Sequence, residues 1–362
     1  SLAADTDQFL TIAKLRAARR VIWRVAEAAG AGQGAARVHV TAVTAWRMLA
    51  KRDPWVNLLR TTMACAAGAM GGADAILVFP FTWALGRPGS LARRIARNTH
   101  LVLTEEAGFG RVLDPAGGSW YVEKLTNELS GKAWGLFQQI EAKGGMGPAL
   151  SSGYIQDEIA KVAEARARKI ATGQLELTGV SAFPLLGGDN ISAEPHPLPL
   201  PADLNGAMAR PLRFERLAEP FERLRDAADI HQRRTGQPLR VFMASLGPQA
   251  EHGVRTTWVQ NFLAAGGIDA PTGEDYSNSA KAAAAFAASD TTVAVITGSD
   301  QTYAELAEAT AMTLKGAGAK RVYLAGRPGA LEAALKSAGV DGFLFPGQDA
   351  VAELGGLHEG LG

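Results

Sequence analysis

The chain has 362 residues, enough for two domains or for one large domain with a smaller companion. Its 37 Lys+Arg against 36 Asp+Glu leave a formal charge of +1, which favours neither nucleic acid nor an anionic membrane surface. At 47% hydrophobic and 20% charged it reads as globular, and its single cysteine, Cys65, excludes an intrachain disulfide and a thiolate metal cluster and fits a reducing cytoplasm. The longest apolar runs, such as 75–83, fall far short of a membrane span. The opening SLAADTDQFLTIAKLRAARR lacks the order of a signal peptide and reads as the middle of a fold. No internal repeat is visible.

In chain order, 9–29 carries apolar residues at helical spacing, with Lys14, Arg16, Arg19 and Arg20 on another face. The alternating, β-branched run 36–44 predicts a strand. Pro54 opens a helix that runs over 55–70 and closes at Gly71-Gly72. The run 73–80 is nearly all apolar, as expected of a strand buried on both faces of a parallel sheet. A helix over 87–98 and a strand over 100–105 follow. This βαβα rhythm fits part of a parallel α/β barrel. Amphipathic helices are expected at 125–143 and 155–172, and an extended surface linker over 181–211, which includes PHPLPLPAD. A charged helix over 213–234 leads into a regular second half. There, strands are expected at 240–245, 292–297, 321–325 and 342–345, with a short one near 268–270. Helices at 254–265, 279–288, 303–315, 330–338 and 350–354 separate them. Five such units predict a doubly wound, flavodoxin-like domain.

One string stands out: RRIARNTHLVLTEEAGFGRVLDPAGGSWYVE, residues 93–123. It resembles the segment that closes the barrel of the methylmalonyl-CoA mutase family, where RNTQ…EE and DPAGGSYYVE-like runs recur. KLRAARR at 14–20, KRDPWVNLLRTT at 51–62, GGADA at 71–75, LTGVSAFPLL at 177–186 and LAEPFERLRDA at 217–227 are similar to further family segments. The resemblance implies the later half of an acyl-CoA mutase barrel with its following helices over 1–180. It also implies a linker and connecting helix over 181–238, and a degenerate cobalamin-binding-like doubly wound domain over 239–362. The earlier barrel strands have no counterpart in the sequence, so the chain is a fragment or another polypeptide completes the barrel.

Catalytic members of that family carry Asp-x-His-x-x-Gly after the first strand of the second domain. Its histidine ligates cobalt and its aspartate orients the imidazole. Ungapped alignment places Gln249 at the aspartate, Glu251 at the histidine and Val254 at the glycine. His252, one residue off in what reads as a loop, is a weak candidate ligand with no carboxylate two residues before it. A polar run at a barrel strand end holds the substrate in catalytic members. Here the corresponding run is Ala75-Ile76-Leu77-Val78-Phe79, and Leu77, Val78 and Phe79 carry nothing to pair with an acyl-CoA carboxylate, whose unpaired burial costs several kcal/mol. A second family run corresponds loosely to 40–46, without its glutamine.

Glu105 and Glu106 could serve as general acid or base, but in this context they are expected to pair with Arg93, Arg94 or Arg97. His39 and His100 lie on or beside strands, His196 in the linker, His231 near a helix C-terminus and His358 in the tail; no two have metal-ligand spacing. The turns 297–299 and 325–326 place small residues at strand ends where such folds hold ligands, a weak signal.

Loss at both sites together makes the chain most like the non-catalytic small (beta) subunit of a heterodimeric methylmalonyl-CoA mutase. The resemblance then implies no catalytic residue, cofactor or metal on this chain. Adenosylcobalamin would sit on a large catalytic subunit as partner, in the cytoplasm. Two other readings stay open: an active cobalamin-dependent acyl-CoA mutase using His252, and a small-ligand-binding module on the C-terminal domain.

Overall fold

A computed structural model describes residues 1–32, 38–188, 191–195, 209–212 and 214–361. The chain is a mixed α/β protein with two parallel sheets, and it divides into two units. Unit 1 takes Ser1–Ala163 and Asp189–Leu217; unit 2 takes Glu164–Gly188 and Ala218–Gly362. The stretch expected as linker and connecting helix is therefore shared: its described residues 191–195, 209–212 and 214–217 group with unit 1, and 181–188 and 218–238 with unit 2. His196 and most of the proline-rich run lie outside the described residues. No helix among the described residues is long and apolar enough to cross a membrane.

Unit 1 carries the strands β1 (Leu2–Ala4), β2 (Thr41–Thr44) and β3 (Ala75–Leu77), in that order and all parallel, with Ala42 facing both Leu2 and Ile76. Helix α1 (Gln8–Ala28) starts where the Asp7 side chain accepts the Leu10 N–H. It buries Ile12 and Leu15. Helix α2 (Val56–Met70) lies close on the sheet because Gly68 has no side chain; a Cβ there would sit 3.3 Å from the Ala42 methyl. Helices α3 (Ser90–Leu101), α4 (Trp120–Ala142), α5 (Met146–Ser151) and α6 (Tyr154–Ala171) follow.

Several expected elements differ. The strand read over 100–105 is helix: α3 runs through Leu101 and continues in a wider, π-type turn over Val102–Glu106. Leu103 packs with Ala96, Cys65 and Val78 at helical spacing, and the Thr104 hydroxyl bonds back to the His100 carbonyl at 2.8 Å. Leu101-Val102-Leu103 is a β-favourable triplet overridden by that packing. Among the described residues neither Glu105 nor Glu106 pairs with Arg93, Arg94 or Arg97. The string's ion pairs are made instead by Arg16 with Asp114 and Glu123, and by Arg20 with Glu123 at 3.1 Å. The strand read over 73–80 shortens to Ala75–Leu77 and is not buried on both faces, since it ends the sheet and leaves Leu77 49% exposed. Of the strand read over 36–44, residues 36–37 lie outside the described residues, and among 38–44 it covers Thr41–Thr44. The helix read over 213–234 begins only at Glu219, with Pro220 in its first turn.

Unit 2 contains α7 (Glu219–Thr235) and the parallel sheet β4 (Phe242–Ser245), β5 (Val293–Thr297), β6 (Arg321–Ala325) and β7 (Gly342–Leu344), ordered as in sequence. All five β5 residues are buried, as a central parallel strand requires. The short strand expected near 268–270 reduces to two isolated bridges, Arg240 to Asp269 and Leu246 to Tyr276, on the edge of β4 away from β5. Helices α8 (Gln249–Ala265), α9 (Ser279–Ala287), α10 (Asp300–Thr302), α11 (Glu308–Gly316), α12 (Glu332–Ser337) and α13 (Ala350–Leu361) connect the strands, α10 passing into α11 through a π-type turn over Tyr303–Ala307.

Fully buried Asn57 fastens unit 1. Its amide accepts the Ala50 N–H at 3.0 Å and donates to the Ala50 and Phe81 carbonyls at 2.8 Å each. Replacing Asn57 with Ala leaves those buried groups unpaired and should lower stability by about 2–4 kcal/mol, read from urea unfolding followed by circular dichroism. In unit 2, burial holds the His358 ring below its ordinary value of 6.5, although its Nε2 lies 2.8 Å from the Gly266 carbonyl. The unfolded chain therefore takes up this proton first. The stabilisation is complete above pH 6.5 and is lost as pH falls from there through the lower folded value. His100, also lowered by burial, acts with the same sign. The urea midpoint should fall on acidification from about pH 7.5 to about pH 5.5, and His358→Gln should flatten that fall.

Candidate functional site

The carboxyl ends of parallel strands are where such sheets hold ligands. In unit 2 the chain leaves β4 through Gly247, whose φ of +79° suits glycine. It then starts α8 at Gln249, so the segment read as a loop around His252 is the first turn of a helix. One oxygen of Asp275 accepts the Gln249 backbone N–H at 3.1 Å, and the other lies 2.9 Å from His252 Nε2. His252 Nδ1 lies 3.0 Å from Thr256 Oγ1. Thr256 Oγ1 is 2.8 Å from Thr297 Oγ1, which is 3.2 Å from Ser245 Oγ. This line of hydrogen-bonding groups runs from exposed Asp275 into the sheet and engages both ring nitrogens of His252, which is only 2% exposed.

The three aligned positions do not converge. Gln249 is exposed, and Val254 is 86% exposed. Glu251 accepts the Thr302 hydroxyl at 2.7 Å and packs against Gly247, where a Cβ would stand 2.9 Å from its Oε2.

Between β5 and β6 the sheet edge is filled by Tyr303. Its hydroxyl donates to the Ala325 carbonyl at 2.7 Å and accepts the Gly298 N–H at 3.1 Å. A Cβ on Gly298 would meet its ring at 3.1 Å. Arg255 lies over that ring at 4.9 Å, donates to the Gly298 carbonyl at 2.6 Å and pairs with Asp300. Burial pushes the Tyr303 phenol well up, so it stays a neutral donor. Burial opposes the Arg255 charge, but its bond to Asp300 holds its pKa above the ordinary value. The turns 297–299 and 325–326 were legible as small-residue strand ends. Tyr303 and Arg255 were not, because nothing in their spacing announces that they point into the edge.

In unit 1, Val78 is buried with Cys65 and Ala96, while the Phe79 ring packs on Trp83 at 5.0 Å. The Phe79 N–H donates to Thr44 Oγ1 at 2.8 Å. Cys65 Sγ lies 3.8 Å from His100 Nδ1, and burial pushes the thiol up to about 11, so it is no thiolate nucleophile. Among the described residues no cluster of three His, Cys, Asp or Glu side chains could hold a metal ion.

Tyr303→Phe, which removes one hydroxyl and leaves the Ala325 carbonyl and Gly298 N–H unpaired, should destabilise unit 2 by about 1–3 kcal/mol, measured by chemical denaturation.

A family model described as methylmalonyl-CoA mutase matches residues 1–199. The chain is 48% identical over 362 residues to the methylmalonyl-CoA mutase small subunit of Streptomyces virginiae, covering 99% of this chain and 56% of that protein. It is 38% identical over 365 residues to the small subunit of Propionibacterium freudenreichii subsp. shermanii, covering all of this chain and 55% of the relative. To the methylmalonyl-CoA mutase of Cereibacter sphaeroides it is 35% identical over 221 residues, 61% of this chain and 30% of that protein. The chain thus spans little more than half the length of the small subunits it matches.

Proposed function

The chain belongs to the methylmalonyl-CoA mutase family, and from that membership we propose that it is part of the non-catalytic small subunit of a cytoplasmic methylmalonyl-CoA mutase. A large partner subunit would carry adenosylcobalamin and interconvert methylmalonyl-CoA and succinyl-CoA. In this reading residues 1–180 are the later part of an acyl-CoA mutase barrel with its following helices. Residues 181–238 connect it to a degenerate cobalamin-binding-like, flavodoxin-like domain over 239–362.

The observation that carries the reading is the filled sheet edge of unit 2. The residues there do not fit the cofactor. His252 is turned inward with both nitrogens engaged, Glu251 is tied to Thr302, and the Tyr303 ring occupies the space beside Gly298. The apolar end of β3 supports the same conclusion for substrate, because Leu77, Val78 and Phe79 cannot compensate a carboxylate. A partner-binding role is supported by the apolar side chains unit 1 leaves in solvent, among them Leu113 at 97%, Trp120 at 93% and Leu59 at 71% exposed. An obligate pair would bury more than about 2,000 Å².

A full-length version co-expressed with a large subunit should elute as one complex on size-exclusion chromatography. The isolated chain titrated with adenosylcobalamin should leave the cofactor spectrum unchanged. A base-off species on this chain would overturn the non-catalytic reading, and failure to form any complex would overturn the partner role.

A further inference from the structure

Unit 2 contains a cavity of about 260 Å³ that shares no lining residue with the sheet-edge network. Its walls carry five aromatic rings: Phe183, Phe221, Trp258, Phe262 and Phe345. Trp258 and Phe262, one turn apart on α8, stack with centroids 5.3 Å apart and planes 21° from parallel. Its volume lies just under the roughly 300–1,000 Å³ typical of sites for drug-sized ligands. It suits one bicyclic ring rather than a whole dinucleotide or a corrin.

The walls are built by short, internally bonded loops. On one side the Leu177 carbonyl accepts three backbone N–H groups, from Val180 and Ser181 at 2.9 Å and Ala182 at 3.2 Å. The Ser181 hydroxyl takes the Leu177 N–H at 2.9 Å. This turn delivers Phe183 to the rim with φ +50°, a strained value for a bulky residue. On the other side Gln348 accepts the Phe345 N–H at 2.8 Å and donates to the Phe343 carbonyl at 3.0 Å, so its amide is committed to the wall. Walls tied in this way are preorganised for a ligand.

The polar content of the lining narrows the ligand. Among the described residues the Trp258 indole N–H has no acceptor and Asn261 Oδ1 has no donor, the Asn261 amide nitrogen being spent on the Thr257 carbonyl at 3.0 Å. These two groups are three residues apart on α8, so they share a face. Together they leave one donor and one acceptor for polar groups of a ligand. Among the described residues no lysine or arginine lines the cavity, and Glu176 does. A phosphate or carboxylate would meet a like charge and no cation.

We propose that unit 2 carries a binding site for an uncharged, flat bicyclic heteroaromatic ring, a purine base or its nucleoside. The stacked pair of Trp258 and Phe262 and the ring of Phe345 would cover its faces, and Asn261 Oδ1 would accept from its edge. This proposal is independent of the subunit assignment. Purines match the cavity in size, aromatic character and mixed edge polarity; nucleotides are disfavoured by Glu176.

Calorimetric titration of the full chain with adenosine, AMP and uridine tests this. Adenosine should bind; uridine, whose single ring stacks over less area, and AMP, whose phosphate meets Glu176, should each be at least about tenfold weaker. Trp258→Leu should weaken adenosine by a similar factor, Asn261→Ala by a few-fold, and Glu176→Gln should improve AMP while leaving adenosine unchanged. Trp258→Phe, which keeps a ring and loses the N–H, covers the case in which Trp258→Leu does not fold, as judged by near-UV circular dichroism; it should fall between wild type and Asn261→Ala. No adenosine binding at millimolar concentration would overturn the proposal. So would AMP or uridine binding as tightly as adenosine, or folded Trp258 variants binding adenosine like wild type.

Discussion

A parallel strand paired on both sides and covered on both faces is open only at its ends. β5 is in that position, with all five residues buried and neighbours hydrogen-bonded on either edge. Its carboxyl end must still satisfy the groups at Thr297 and Gly298. In a doubly wound domain that demand can be met by a ligand or by side chains. Here side chains meet it: Thr256 and Ser245 at the Thr297 hydroxyl, the Tyr303 hydroxyl at the Gly298 N–H and Arg255 at the Gly298 carbonyl. The remainder of the edge follows from that choice. Arg255 brings Asp300 with it, Thr256 brings His252, and His252 brings Asp275.

The same closure gives family membership a specific content. A sheet edge whose polar groups are paired by its own side chains requires no guest to be stable. The barrel-side segment is parallel in kind. β3 ends at Leu77, Val78 follows it into the core, and the Phe79 N–H bonds to Thr44 Oγ1, which holds strand to strand. At both places the polar groups named above are paired within the chain.

What was legible in the sequence followed from periodicity. The strands β4 to β7 and most of their helices could be read because apolar runs and glycine-rich breaks alternate with little competition. The run 100–105 was misread because its triplet of β-favourable residues is short, and helical packing of Leu103 on Ala96 and Cys65 decided its conformation. β3 was misread for the opposite reason: its composition suits a strand buried on both faces, while its place at the end of the sheet exposes it. The filled site was half legible. The absence of an aspartate and histidine at 249 and 251 is visible in the letters. That Tyr303 turns into the space beside Gly298 depends on a π-type turn at the end of a three-residue helix, which has no signature in composition.

The division of the chain has a topological consequence. The backbone passes from one unit to the other three times, after Ala163, Gly188 and Leu217. No single cut therefore releases both units whole. A cut at 238, where sequence alone would divide the protein, strips unit 2 of α7 and of 164–188, and with them Phe221, one of its fully buried side chains. Unit 2 cannot assemble from one contiguous stretch of chain: its core is completed only when the segments on either side of 189–217 come together, a cooperativity set by connectivity.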